Sequence, residues 1–148
     1  MIKNILLSLI MLFVFNATAW ADDSKQQDDV KVEKTFKKML RAYKNKNMKA
    51  FFMNVSENRF QNDFLDFADG VREDMETNQI LKIDTWVDKI TTDDKKRFLY
   101  VQWDKRYQSI HSDSAEIKKS GKSMFLFEKI KGKYRLIDFG GAVLFGDI

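Results

Sequence analysis

The sequence has 148 residues, with 26 lysines and arginines against 22 acids, a formal net charge of +4, and neither cysteine nor proline. That length suits one domain with a single core. Without cysteine there is no disulfide or thiolate metal site, without proline no rigid proline-rich linker, and the mild charge gives little footing for nucleic acid.

Lys3 opens a segment that is apolar from Ile5 to Phe15 except for Ser8, then turns small and polar through Asn16, Ala17, Thr18 and Ala19. That order is the order of a secretory signal peptide. Ala19 and Ala21 supply the small side chains needed three residues and one residue before a cut, so cleavage is expected after Ala21. The apolar run of 11 residues is short against the roughly 20 of a membrane-spanning helix, so no stable anchor is expected. Residues 1–21 are read as the signal peptide, and the remaining 127 residues carry one charge less because Lys3 leaves. With no cysteine for lipid attachment, the expected product is free in the periplasm or secreted.

Residues 22–29 contain no apolar side chain and are expected to form a solvated, disordered leader. One domain is expected over 30–148. Val32, Phe36, Met39, Leu40 and Tyr43 recur at spacings of three and four, which predicts a helix over about 29–45. Asn47 is placed to cap a second short helix carrying Met48, Phe51, Phe52 and Val55. A third helix is predicted from Phe60 to Met75, at some cost from Gly70.

After Asn78 the period changes to two. Leu81, Ile83, Thr85 and Val87 alternate with polar partners over 79–90, and Leu99, Val101, Trp103 and Tyr107 do so over 97–110, with the turn Thr92-Asp93-Asp94 between. A polar loop over 111–116 precedes a third strand, Ile117 to Ile130. Lys131-Gly132 turns the chain into a fourth, Tyr134 to Phe139, and Ala142 to Phe145 is expected to close the sheet after Gly140-Gly141. Helices first and a meander second predict an α+β domain with helices on one face of a curved, four-stranded antiparallel sheet.

The hairpin Ala42 to Phe51, the segment Val55 to Phe60, Val101-Gln102-Trp103, Gly121 to Phe127 and Lys131 to Asp138 together resemble the nuclear transport factor 2-like (NTF2-like, cystatin-like cone) superfamily, over nearly all of 30–146. The resemblance implies a pocket between the concave sheet face and the helices. It does not imply one activity, since similar domains include isomerases, dehydratases, epoxide hydrolases, transport factors and inert binding modules.

The candidate pocket residues are Asp84, Trp86, Tyr100, Gln102, Asp104 and Arg106, the mixed face of the first two strands. If that face lines the cone, Asp84 or Asp104 is a candidate base and Tyr100 a hydrogen-bond donor. If it meets solvent, Leu81, Ile83, Val87, Leu99, Val101 and Trp103 form the core and Asp104 and Arg106 are an ordinary surface pair. His111 is the only histidine and sits in the loop, so neither a histidine metal cluster nor a triad built from its sequence neighbours is expected. Lys37, Lys38, Arg41, Lys44, Lys46 and Lys49 read as the wet side of the first helix. Asn54-Val55-Ser56 matches a glycosylation acceptor of eukaryotic secretion.

The 13 phenylalanines are expected to fill a core, or Val143, Leu144 and Phe145 to cover a homodimer face. The expected function is a non-catalytic binding module without metal or cofactor, taking an apolar small molecule or a protein. The alternatives are a cofactor-free lyase or isomerase using a pocket carboxylate, and a structural or assembly-accessory domain with a filled cone.

Overall fold

A computed structural model describes residues 2–111, 113 and 115–146, with side chains described from Asp23 onward. The chain divides into two units, Met1–Lys31 and Val32–Ile148. In the first, the backbone is helical from Ile2, as the start of α1 (Ile2–Lys44). The side chains of Ala19 and Ala21 at the expected cleavage site lie outside those described. The polar stretch 22–29, expected to lack regular structure, is part of this helix. Its residues from Asp23 to Gln27 are exposed. Lysine and glutamine are good helix formers, no glycine or proline interrupts, and Lys31 pairs with Asp28 one turn away at 3.3 Å.

In the second unit α1 buries Val32, Phe36, Met39 and Tyr43 of the expected stripe, with Ala42 beside them, while Leu40 is half-buried against the core. The helix ends in a turn where Lys46 takes a left-handed φ of 57° and the Asn47 N–H bonds the Ala42 carbonyl at 2.8 Å. The Asn47 side chain caps α2 (Met48–Phe52) by accepting from the Ala50 N–H. A 3₁₀ turn, Glu57–Arg59, follows. Helix α3 runs Phe64–Thr77, four residues later than Phe60, because the Asp63 carboxylate accepts from the N–H groups of Leu65 and Asp66 and sets the start there. Phe60 lies outside the helix and stacks on Phe67, with ring centroids 4.9 Å apart.

Strands β1 (Asn78–Asp93), β2 (Lys96–Ser109), β3 (Ile117–Ile130) and β4 (Lys133–Gly141) form an antiparallel meander in the order β1-β2-β3-β4. Two-residue turns join β1 to β2 and β3 to β4. In the latter, Lys131 and Gly132 both have positive φ, which matches the right-handed twist of the flanking strands. The fold is therefore the expected α+β one, three helices on a four-stranded sheet. The segment before α3 covers the β4 edge: Leu136 donates its N–H to the Asn54 carbonyl, and its own carbonyl accepts from Ser56.

Leu81 falls at a register shift, so Ile80, and not Leu81, is buried at the start of β1. A second shift at Asp88 follows Val87, which is exposed rather than part of the core. The core is otherwise built from the expected Leu99, Val101 and Trp103, with Phe125, Phe127 and Leu136 from β3 and β4 and the aromatic residues of the helices.

The chain after β4 does not close the sheet. Gly141, at φ 86°, turns it back under the helices, and Leu144 and Phe145 are 1% and 3% exposed. The Phe145 ring lies among Phe36 and Tyr43 of α1, Phe51 of α2 and Phe125 of β3, with centroids 5.0 to 6.1 Å away. These residues fill their own cone and are not free to cover a dimer face. Gly146 follows, also at positive φ, so close to α3 that a Cβ there would stand 2.9 Å from the Gly70 carbonyl carbon.

Candidate functional site

The side chains of β2 alternate as the sequence predicts, and the structure decides which set faces the helices. On β2 it is the odd set: Leu99, Val101, Trp103, Lys105 and Tyr107 are buried. Asp84, Trp86, Tyr100, Gln102, Asp104 and Arg106 do share one face, but it is the outer face of the sheet. Asp84 is cross-strand from Asp104 and Trp86 from Gln102. Asp84 pairs with Lys82 at 2.6 Å, Gln102 donates to Asp88 at 2.7 Å, and Arg106 pairs with Glu116 at 3.3 Å. Lys89 Nζ sits 4.7 Å from the centre of the Tyr100 ring, and Trp86 is 53% exposed. A groove of about 390 Å³ runs between Lys82, Asp84, Asp104, Arg106, Lys118 and Ser120. Asp84 and Asp104 thus line an open groove on the outer face and not the interior of the cone.

The cone interior contains a polar cluster that the sequence reading missed. Lys105 is 1% exposed and Asp74, on α3, is 2% exposed. The Lys105 ammonium donates to Asp74 Oδ2 at 3.1 Å, to the Tyr43 hydroxyl at 3.0 Å and to the Leu144 carbonyl at 3.2 Å. Tyr43 in turn donates its hydroxyl proton to Asp74 Oδ2, and Asn78 Nδ2 donates to Asp74 Oδ1 at 2.8 Å. The lysine also lies over the rings of Tyr43 and Tyr107, 5.4 and 5.0 Å from their centroids.

Counting bonds shows what this cluster can do. An ammonium has three N–H groups and all three are engaged; both carboxylate oxygens accept; the phenol both gives and receives. The ammonium's donors are all used and three of the roughly four acceptor sites of the carboxylate are filled, so the buried pair is held by partners within the protein. Two signals in the sequence mark it: Lys105 interrupts the apolar series of β2, and Asp74 stands between Val71 and Met75 on the apolar face of α3. Among the described residues no group of three or more histidines, cysteines and acids is placed to hold a metal ion, and no helix is long and apolar enough to cross a membrane.

A second buried polar link, beside the cluster, ties β2 to the segment after β4. Trp103 Nε1 donates to Ser123 Oγ at 2.8 Å, and that hydroxyl donates to the Ala142 carbonyl. Gly121 makes room for the arrangement, since a Cβ there would stand 2.4 Å from Ala142 Cβ and 2.8 Å from the Trp103 ring.

No protein-family profile matches this sequence, and no curated protein matches it. Solved structures do match in shape. A conserved protein from Planctomyces limnophilus superposes with a TM-score of 0.67 at 11% identity, over 77% of this chain and 94% of that one. An NTF2-like superfamily protein from Salmonella enterica gives 0.64 at 11% identity, over 78% and 92%. A ketosteroid isomerase-like protein from Erwinia carotovora gives 0.60 at 12% identity, over 74% and 91%. At such identities the likeness is one of fold, and it agrees with the helices, the meander and the cone already described. The chain has the fold of the nuclear transport factor 2-like superfamily.

Proposed function

We propose that this chain is an exported, non-catalytic binding module, and the internally bonded Lys105–Asp74–Tyr43 cluster is the observation that carries the reading. Acid-base catalysis in a cone needs a carboxylate or phenol in a dry wall with a free valence toward the substrate. Here the buried carboxylate and phenol are committed to one another and to Lys105, while Asp84 and Asp104 lie on the outer face. The isomerase-like name of one structural neighbour therefore brings the fold without the chemistry. Export rests on the order of charge, apolar run and small residues before Asp22. The reading needs no metal or cofactor.

The test is proton exchange α to a ketone, followed by NMR in D₂O with a ketosteroid as substrate. Exchange at the buffer rate is the expected result. Exchange accelerated by the chain and abolished by Asp74→Asn or Asp104→Asn overturns the reading. Export is tested separately by intact mass, which should place the N-terminus of the extracytoplasmic protein at Asp22.

The exposure of Trp86 on β1 favours one further reading, in which the outer face meets a protein. A second copy of this chain is the first candidate. Sedimentation at micromolar concentration decides it, with dimerisation expected to weaken in Trp86→Ala.

A further inference from the structure

The sheet has two edges, and the fold treats them differently. The β4 edge is covered by the segment before α3, through Asn54 and Ser56. The other edge is β1, the longest strand at 16 residues. The ladder fixes which of its backbone groups are bare. Ile110 donates its N–H to the Thr77 carbonyl at 2.9 Å and Lys129 donates to the Lys95 carbonyl at 3.0 Å, so the even residues of β2 bond β1 and the odd ones bond β3. Opposite that even set on β1 stand Lys82, Asp84 and Trp86. Ile83, Thr85 and Val87 therefore turn their N–H and C=O groups to the open edge. Among the described residues no backbone hydrogen bond from outside the sheet ladder reaches these three.

The stretch is regular between register shifts at Leu81 and Asp88, and it complements itself. When two β1 strands lie antiparallel and centred on Thr85, threonine meets threonine at the two-fold axis. Ile83 meets the partner's Val87 on the helix side of the sheet, and Lys82 meets the partner's Asp88 on the outer side. The Asp88 carboxylate does lie on that side, because it accepts from Gln102 at 2.7 Å. Val87 is 38% exposed, so the apolar side of the pairing has surface to cover. Centring on Asp84 would set aspartate against aspartate, and centring on Ile83 would run the pairing into the shift at Leu81.

We propose that two copies of this chain join edge to edge, β1 against β1 about Thr85, so that two four-stranded sheets become one continuous sheet. The pairing supplies about six backbone hydrogen bonds, two from each facing residue pair. Bulges and charges are the usual means of keeping other strands off an edge. Here the bulges set the length of the contact, and the charges admit the one register in which Lys82 and Asp88 attract. Such a contact is distinct from one across the outer face, which would engage the Trp86 side chain and leave the rim bare.

The chain has no cysteine, so single cysteines report the pairing without background. Facing residues of an antiparallel pair have Cα atoms about 5.5 Å apart, inside the range a disulfide spans. In a glutathione redox buffer, Thr85→Cys should form a disulfide-linked dimer about tenfold or more faster than Gln79→Cys or Thr91→Cys, exposed positions of the same strand. Sedimentation of the full chain tests the register. Lys82→Glu and Asp88→Lys should each weaken dimerisation about tenfold, because symmetry repeats the like-charge contact, and both together in one chain should restore it. Thr85→Pro should give a monomer with an unchanged far-UV spectrum, since the lost N–H points off the sheet.

Equal cross-linking at all three positions, or dimerisation indifferent to both charge variants, overturns the proposal. If Trp86→Ala alone then abolishes the dimer, the outer-face contact stands in its place. A chain that stays monomeric up to about 1 mM overturns both contacts together. Should Thr85→Pro fail to fold, the cysteine and charge series still decide.

Discussion

Replacing Lys105 with methionine probes the cone most directly. The substitution keeps much of the apolar stem and removes the ammonium, so Asp74 stays buried with only the Tyr43 hydroxyl and Asn78 amide as partners and the Leu144 carbonyl loses its donor. Removing one partner of a buried ion pair costs about 3–5 kcal/mol, because a charge is left uncompensated. For a domain of this size each kcal/mol moves the thermal midpoint by about 4 °C, so the midpoint should fall by about 12–20 °C. The double variant Lys105→Met with Asp74→Leu removes both charges and should recover at least about 2 kcal/mol of that loss. Urea denaturation followed by far-UV circular dichroism measures the unaltered chain, the single variants Lys105→Met and Asp74→Leu, and the double variant. A Lys105→Met chain within about 1 kcal/mol of the original would refute the argument, as would a double variant whose loss equals the sum of the single ones.

Three other expectations follow from the packing. Phe145→Ala empties the centre of the aromatic box and should cost about 3–5 kcal/mol in urea denaturation, whereas Trp86→Ala on the outer face should cost about 1 kcal/mol or less. Gly121→Val drives a side chain into Ala142 and the Trp103 ring and should lower stability by about 1–3 kcal/mol or more, with loss of the near-UV tryptophan signal as the readout. Asp84→Asn and Asp104→Asn alter half-exposed or exposed groups and should leave the urea midpoint within about 0.5 kcal/mol of the original.

The periods of the sequence carried the fold. Spacings of three and four placed the core stripe of α1, and alternation placed β2 to within a residue, because one-sided burial imposes those periods whatever the detail. Alternation does not say which side is inside. On β2 the helices pack on the odd-numbered side chains, so the six polar residues singled out lie together, but on the outer groove. The bulge at Leu81 was invisible for a related reason: one extra residue shifts the facing set without changing any residue type. The buried cluster lay hidden because its four parts come from four elements far apart in sequence, and Tyr43 fits an apolar stripe as well as a polar role. The inward turn at Gly141 was hidden too, since Ala-Val-Leu-Phe reads equally as a strand and as a plug.

The spacing of that cluster has a consequence for how the chain reaches its final state. Tyr43, Asp74, Lys105 and Leu144 are 31, 31 and 39 positions apart, so every bond among them closes a long loop. A chain synthesised only through β4 already contains the lysine, the carboxylate and the phenol, yet lacks the carbonyl and the phenylalanine that finish the interior. The interior is complete only once residues 142–146 are in place. Contacts of such high sequence separation form slowly, so this interior is expected to be among the last parts of the domain to become ordered.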